Sequence, residues 1–179
     1  GFKDTIDIRF LEKTEEDQNI SYPAHLIKFA ERLKKTGEIE FDDKQDKMVV
    51  VFDADIFEKK VCNYQELLRD KSKSSIYAIT NPAFELFLLL HIENSFEEII
   101  GPNYSLILEN QKVQGKTPVY NMLLEKTGMN AKHNPDIGNL ALKIDVAIEQ
   151  EKKINQDISD CKGKLTSNIA QIISGIKRA

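Results

Sequence analysis

Among the 179 residues no run approaches the roughly 18 consecutive apolar residues of a membrane helix, and no secretory signal opens the chain. No membrane partner is therefore expected. Cysteine is scarce: Cys62 and Cys161 lie far apart and share no metal-ligand spacing with the three histidines. A reduced, cytoplasmic compartment is the simplest reading. There is no Gly-rich phosphate loop, no Ser/His/Asp order and no Cys–His pairing, so the usual phosphate-loop and nucleophile classes find no support. Internal repeats and low-complexity segments are also missing. A large excess of one charge is lacking too. The net charge of −4 gives no support to a nonspecific nucleic-acid binder, although a bound metal can overcome so weak a global field. The short basic runs Lys59-Lys60, Lys71-Ser72-Lys73 and Lys177-Arg178 read as solvated surface.

What is present is ordinary soluble-domain material, 41% hydrophobic and 30% charged. The length suits one domain with an appended helical piece. Thr5-Ile6-Asp7-Ile8-Arg9-Phe10-Leu11 alternates apolar and polar and reads as a strand. Residues 23–35 read as an amphipathic helix, with Ser21 as its cap, Pro23 in its first turn, Leu26, Phe29, Ala30 and Leu33 on one stripe, and Gly37 ending it. Residues 48–52 form a β-branched and apolar run of the kind buried on both faces of a sheet. A charged helix over 57–69 and a strand over 75–79 follow. Strands alternating with helices imply an α/β fold with a small parallel-type sheet.

After Asn81-Pro82 the character changes. Residues 83–92 are apolar on every side except Glu85 and His91, the pattern of a buried helix. Residues 101–116 look turn-rich and irregular, and helices are expected over 118–126, 137–161 and 166–178. Ile137, Leu140, Ile144 and Ile148 form one core stripe; Leu165, Ile169, Ile172, Ile173 and Ile176 form another. The division is thus an α/β core over 1–100 and a helical extension over 101–179, packed on the core.

The chemistry gathers at the end of the second strand. In open α/β sheets, sites form beyond the carboxyl ends of the strands, where Val49-Val50-Val51-Phe52-Asp53-Ala54-Asp55 delivers two carboxylates. Alternate residues at a strand end point the same way, and two carboxylates so close repel unless a cation lies between them. A hard ion such as Mg²⁺ (or Mn²⁺) is the natural occupant, while a lone Asp at a strand end is often just the next helix's cap. Such a D-x-D occurs in phosphatases, glycosyltransferases and nucleases. The first want Thr or Val where this chain has Phe57, and the second a longer nucleotide-binding half. Glu85, set among apolar neighbours, should have a partner, and serves either catalysis or the Asn81-Pro82 turn. His91, on another face of that helix, reads as a satisfied core histidine or a pocket group; His25 and His133 read as surface. Asn81, held extended before proline, suits a tight structural turn near the site.

Phe52-Asp53-Ala54-Asp55, followed by Thr80-Asn81-Pro82-Ala83-Phe84-Glu85-Leu86-Phe87-Leu88-Leu89-Leu90-His91, resembles the RloB family. Its members carry F-D-x-D at a strand end and then N-P-x-F-E-L with a leucine run closed by histidine. Leu165-Thr166-Ser167-Asn168-Ile169 is weakly similar to the start of the family's C-terminal helix. The resemblance implies a Toprim-like fold and a setting in bacterial restriction and abortive-infection loci, often beside an ABC-type ATPase. It implies Asp53 and Asp55 as Mg²⁺ ligands and places Asn81, Glu85 and His91 in the family's second motif without assigning their roles; Glu85 or His91 is then the candidate catalytic, proton-transferring group. The function so implied is a Mg²⁺-dependent nuclease acting on DNA or RNA in anti-phage defence. The alternative is a non-catalytic regulatory module that docks on the ATPase or on a second copy as a homodimer. The family's first strand and its E-G-x-x-T-E-like segment have no counterpart before Thr5, so that strand and its acid are expected to be missing from the chain.

Overall fold

Pro23 fixes the first turn of helix α1, Pro23–Thr36, and Gly37, at φ +71°, takes the left-handed turn beyond its end. The computed structural model that shows this describes residues 23–42, 44–54, 64–69, 75–130 and 133–178. The expected strand over Thr5-Leu11 and the Ser21 cap lie outside the described residues, as do Asp55 and the start of the helix expected over 57–69. The described part of that helix is α2, Tyr64–Arg69.

Strand β1, Val49–Asp53, pairs in parallel with β2, Ile76–Asn81, with Val51 opposite Ala78, Phe52 opposite Ile79 and Asp53 opposite Thr80. The third strand comes from the far end of the chain: β3, Thr166–Ser167, lies antiparallel to β2 and gives the order β1-β2-β3. The alternation of side chains divides the core into two layers. On one face Val50, Phe52 and Ile79 pack with Ile27 and Ala30 of α1 and with Tyr64 and Cys161. On the other, Ala78 packs under a larger helical layer. That layer is built from α3, Phe84–Leu89; α4, Tyr104–Glu109; α5, Pro118–Thr127; α6, Ile144–Glu151; and α7, Ile169–Arg178.

The helical layer covers β2 but stops short of β1. Val49 and Val51 share a face with Ala78 yet are 36% and 49% exposed, so β1 is buried on one face only. The run's composition suggests two buried faces; among the described residues β1 stands at the edge of the sheet, beyond the reach of the helical layer.

Two further expectations change. The segment expected as one helix over 137–161 is a 3₁₀ stretch, Pro135–Lys143, then α6, then a 3₁₀ turn, Ile158–Asp160. Asn155 and Asp157 hydrogen-bond their own surrounding backbone, which competes with continuing the helix. The segment expected as a helix over 166–178 begins instead as β3. Asn168 then acts as a further sheet residue through its side chain: Oδ1 accepts from the Ile79 amide at 2.7 Å and Nδ2 donates to the Tyr77 carbonyl at 2.8 Å.

Two adjacent residues at the end of α6 tie these pieces together. Gln150, 3% exposed, accepts from Ser95 Oγ and the Phe96 amide and donates to the Leu90 and Ile92 carbonyls, closing the end of α3. Glu151, fully buried, accepts at 3.0 Å from the Ala170 amide and at 2.8 Å from the Gln171 amide, the first orphan donors of α7. It also accepts from Ser167 Oγ at 2.5 Å and from Gln156 Nε2 at 3.1 Å. Consecutive helical residues point about 100° apart, which lets one helix end serve both neighbours.

Candidate active site

The carboxyl ends of β1 and β2 open on a cleft of about 390 Å³, within the range of small-molecule and substrate sites. Asp53 reaches it because it follows Val49 and Val51 on the face that the helical layer leaves open. Thr80, its parallel partner and fully buried, donates its hydroxyl to Asp53 Oδ1 at 2.7 Å and so fixes the carboxyl orientation. The ladder continues one step further, the Ala54 amide donating to the Thr80 carbonyl at 2.7 Å.

Asn81 ends β2 with a cis bond to Pro82, and its Nδ2 donates to the carbonyls of Cys161 and Lys164 at 2.9 and 2.8 Å. It anchors the loop that leads into β3, a structural task close to the cleft. The turn then sets Ala83 and Glu85 on the cleft wall. Glu85 is half-buried rather than enclosed in the core, and among the described residues no hydrogen bond or ion pair reaches it. Of the partners expected for it, neither a basic side chain nor a backbone amide holds it among the described residues, and the first turn of α3 sets its carboxyl on the cleft.

His91 is elsewhere. It is 3% exposed, donates Nδ1–H to the Phe87 carbonyl at 3.0 Å and packs edge-on to the Phe87 ring at 4.7 Å. Burial, which disfavours the imidazolium, holds its pKa below the ordinary value, against smaller opposing effects of the Phe87 and Leu88 carbonyls and of Glu151. The structure therefore brings Asp53 and Glu85 together and leaves His91 in the helical core.

Residues 101–116, expected to be irregular, contain the helix α4, and the connection from α4 to α5 that follows it supplies the other wall of the cleft. Asn110 ends α4 in the left-handed region at φ 49°. Val113 and Lys116 then exchange backbone hydrogen bonds of 2.9 and 3.1 Å around Gln114 and Gly115, both at positive φ, as in a two-residue hairpin turn. Thr117 caps α5, accepting from the Tyr120 amide at 3.3 Å, with Pro118 in the first turn. This turn carries Lys112 and Lys116 to the cleft, where His133 joins them. Read locally, the sequence gives the two lysines no role and places His133 on the surface, where it is exposed; their meeting at one cleft is what the structure adds. The available signal was the Gln114-Gly115 pair, a turn dipeptide between two lysines.

The donor set fits a hard cation in kind: two carboxyl groups, Asp53 and Glu85, line one cleft, and Mg²⁺ asks for only one or two from the protein. Among the described residues no group of three or more His, Cys, Asp and Glu side chains is arranged to hold a metal, and Asp55 lies outside them. Among the same residues no helix is long and apolar enough to cross a membrane.

A family model described as RloB-like protein matches residues 2–176. Neither the curated proteins nor the solved structures gave a match.

Proposed function

The chain belongs to the RloB-like family, and from that premise we propose that it is a Mg²⁺-dependent phosphodiesterase cleaving nucleic acid in bacterial anti-phage defence. The observation that carries the reading is the convergence of Asp53 and Glu85 on one cleft at the carboxyl edge of the parallel strand pair. Asp53 holds the cation, with Asp55 as the second ligand of the D-x-D, and the Thr80 hydroxyl keeps the Asp53 carboxyl in place. When bound, Mg²⁺ supplies charge neutralisation at the scissile phosphate and a lowered pKa for the attacking water. Glu85 and His133, both lining the cleft, are the groups within it that can accept or return a proton. His91 is assigned a packing role. In this setting the expected partner is an ABC-type ATPase.

The test is cleavage of single-stranded and duplex DNA and RNA with Mg²⁺ or Mn²⁺, comparing the wild-type chain with Asp53→Asn and with Asp53→Ala/Asp55→Ala. Activity should depend on the metal and fall by about 100-fold or more in both variants, since even outer-shell changes at metal sites cost 10–100-fold. Equal activity in all three proteins would refute the reading. No cleavage by any of them, with no metal binding by calorimetry at millimolar ion, would favour instead a regulatory module acting through the ATPase.

A further inference from the structure

We propose that the turn from Lys112 to Lys116 is a phosphate-binding strap that holds a single-stranded polynucleotide across the cleft. The inference rests on the phosphodiesterase reading for the position of the scissile bond, but not for binding itself. Its starting point is the separation of charge. Asp53 and Glu85 enter from the sheet and from α3, whereas Lys112, Lys116 and His133 enter from the α4–α5 connection and from beyond α5. Among the described residues no ion pair joins either lysine to a carboxylate. The Lys116 ammonium instead lies over the Tyr120 ring, 5.5 Å from its centre, which positions the charge while leaving its N–H donors for a ligand.

A free anion would meet the two carboxylates, and a free cation the two lysines. A phosphodiester chain that carries a divalent ion on one phosphate answers both walls at once. Lysine binds phosphate as a point charge and needs no forked geometry, so two lysines carried on one closed turn suit neighbouring phosphates of one strand. The turn has a defined shape: Val113 and Lys116 close it through backbone hydrogen bonds, Gln114 and Gly115 hold positive φ, and Thr117 caps α5.

The preference for a single strand comes from Asn110. Asn110 lines the cleft, and its Oδ1, buried from solvent, has no hydrogen-bond partner among the described residues, an unpaired acceptor that a ligand donor would satisfy. The amino or imino N–H of an unpaired nucleobase is such a donor. In a duplex the same groups are occupied by pairing, and single strands are read through these exposed edges.

The experiment is fluorescence anisotropy with labelled single-stranded DNA and RNA oligonucleotides and the matching duplexes, in EDTA so that no cleavage occurs, over a range of salt. Wild-type protein should bind the single strands more tightly than the duplexes. Lys112→Glu/Lys116→Glu should weaken binding by about 10-fold or more and lessen the slope of log affinity against log salt by about 1.4, at 0.7 per single-strand phosphate contact. Asn110→Ala should weaken single-strand binding with the slope unchanged. Both lysines are exposed, and an unchanged thermal midpoint would verify that the double variant folds. An unchanged salt slope in the folded lysine variant, equal affinity for duplex, or no saturable wild-type binding would each overturn the strap. Because no metal is present, the two proposals fail separately. Loss of cleavage on changing Asp53 with unaltered binding on changing the lysines would sink only the strap; the reverse pattern would sink only the nuclease.

Discussion

Replacing Glu151 by alanine should cost more stability than any exposed substitution, because this buried carboxyl ends α6 and caps α7 across space. The change leaves the Ala170 and Gln171 amides, at the start of α7, without acceptors. A buried donor left unsatisfied costs about 1–3 kcal/mol, and loss of a helix cap about 1–2 kcal/mol. These penalties overlap, and Gln156, partly exposed, can turn to water, so about 3–5 kcal/mol is expected in total. Glu151→Gln keeps the shape and one acceptor oxygen but faces the remaining amide with an NH₂ group, for a loss of about 1–3 kcal/mol. In urea titrations at an m of about 2 kcal/mol per molar, the alanine variant should shift the midpoint down by about 1.5–2.5 M with the slope unchanged. A midpoint within about 0.3 M of wild type would refute the reasoning. The effect should reach the cleft, since Ser167, which Glu151 also holds, pairs with Thr80, and Thr80 orients Asp53.

His91 makes a second prediction. Its pKa in the folded chain lies below the ordinary 6.5, so as pH falls through 6.5 the unfolded chain takes a proton that the folded chain refuses. The stability present above that pH is then lost progressively down to the folded-state pKa. Denaturant midpoints measured between pH 7.5 and 5 should fall less steeply for His91→Gln than for wild type, and identical slopes would contradict the burial argument. Asn168→Asp keeps the acceptor for the Ile79 amide but sets a carboxylate oxygen against the Tyr77 carbonyl. A loss of about 2–4 kcal/mol and a Tm about 5–15 °C lower are expected by calorimetry, and an unchanged Tm would count against the strand-like role of this side chain.

Much of the scaffold was legible because periodicity reports burial directly. The stripe Phe29, Ala30 and Leu33 is buried in α1, the strand pair β1–β2 lies where the apolar runs predict, and the leucine-rich stretch after Asn81-Pro82 is α3. Asp53, at the end of β1, and Glu85, in the first turn of α3, line one cleft. What escaped depends on distant partners. A two-residue strand such as β3 has no period to detect, and it exists because Thr80 and Asn81 offer it a ladder. Gln150 and Glu151 look like solvent-facing residues of a long helix, and only the packed neighbours make them interior. Lys112, Lys116 and His133 each look like surface when read locally; the path of the α4–α5 connection brings them to one wall. Their exposure was readable, their convergence was not.

The third strand of the sheet has a consequence for the order in which the molecule is made. Thr80 sits between Asp53, which comes before it in the chain, and Ser167, which comes long after. During synthesis β1 and β2 can pair as soon as they emerge, but β2 keeps an open edge until residues 166–168 have been translated. Such a long-range contact forms late because the loop must close before the pairing repays it. The segment that pairs with Thr80, which in turn orients Asp53, therefore arrives long after the two strands it joins. On the ribosome the cleft's carboxylates are thus present well before residues 166–168 complete the framework that aims Asp53.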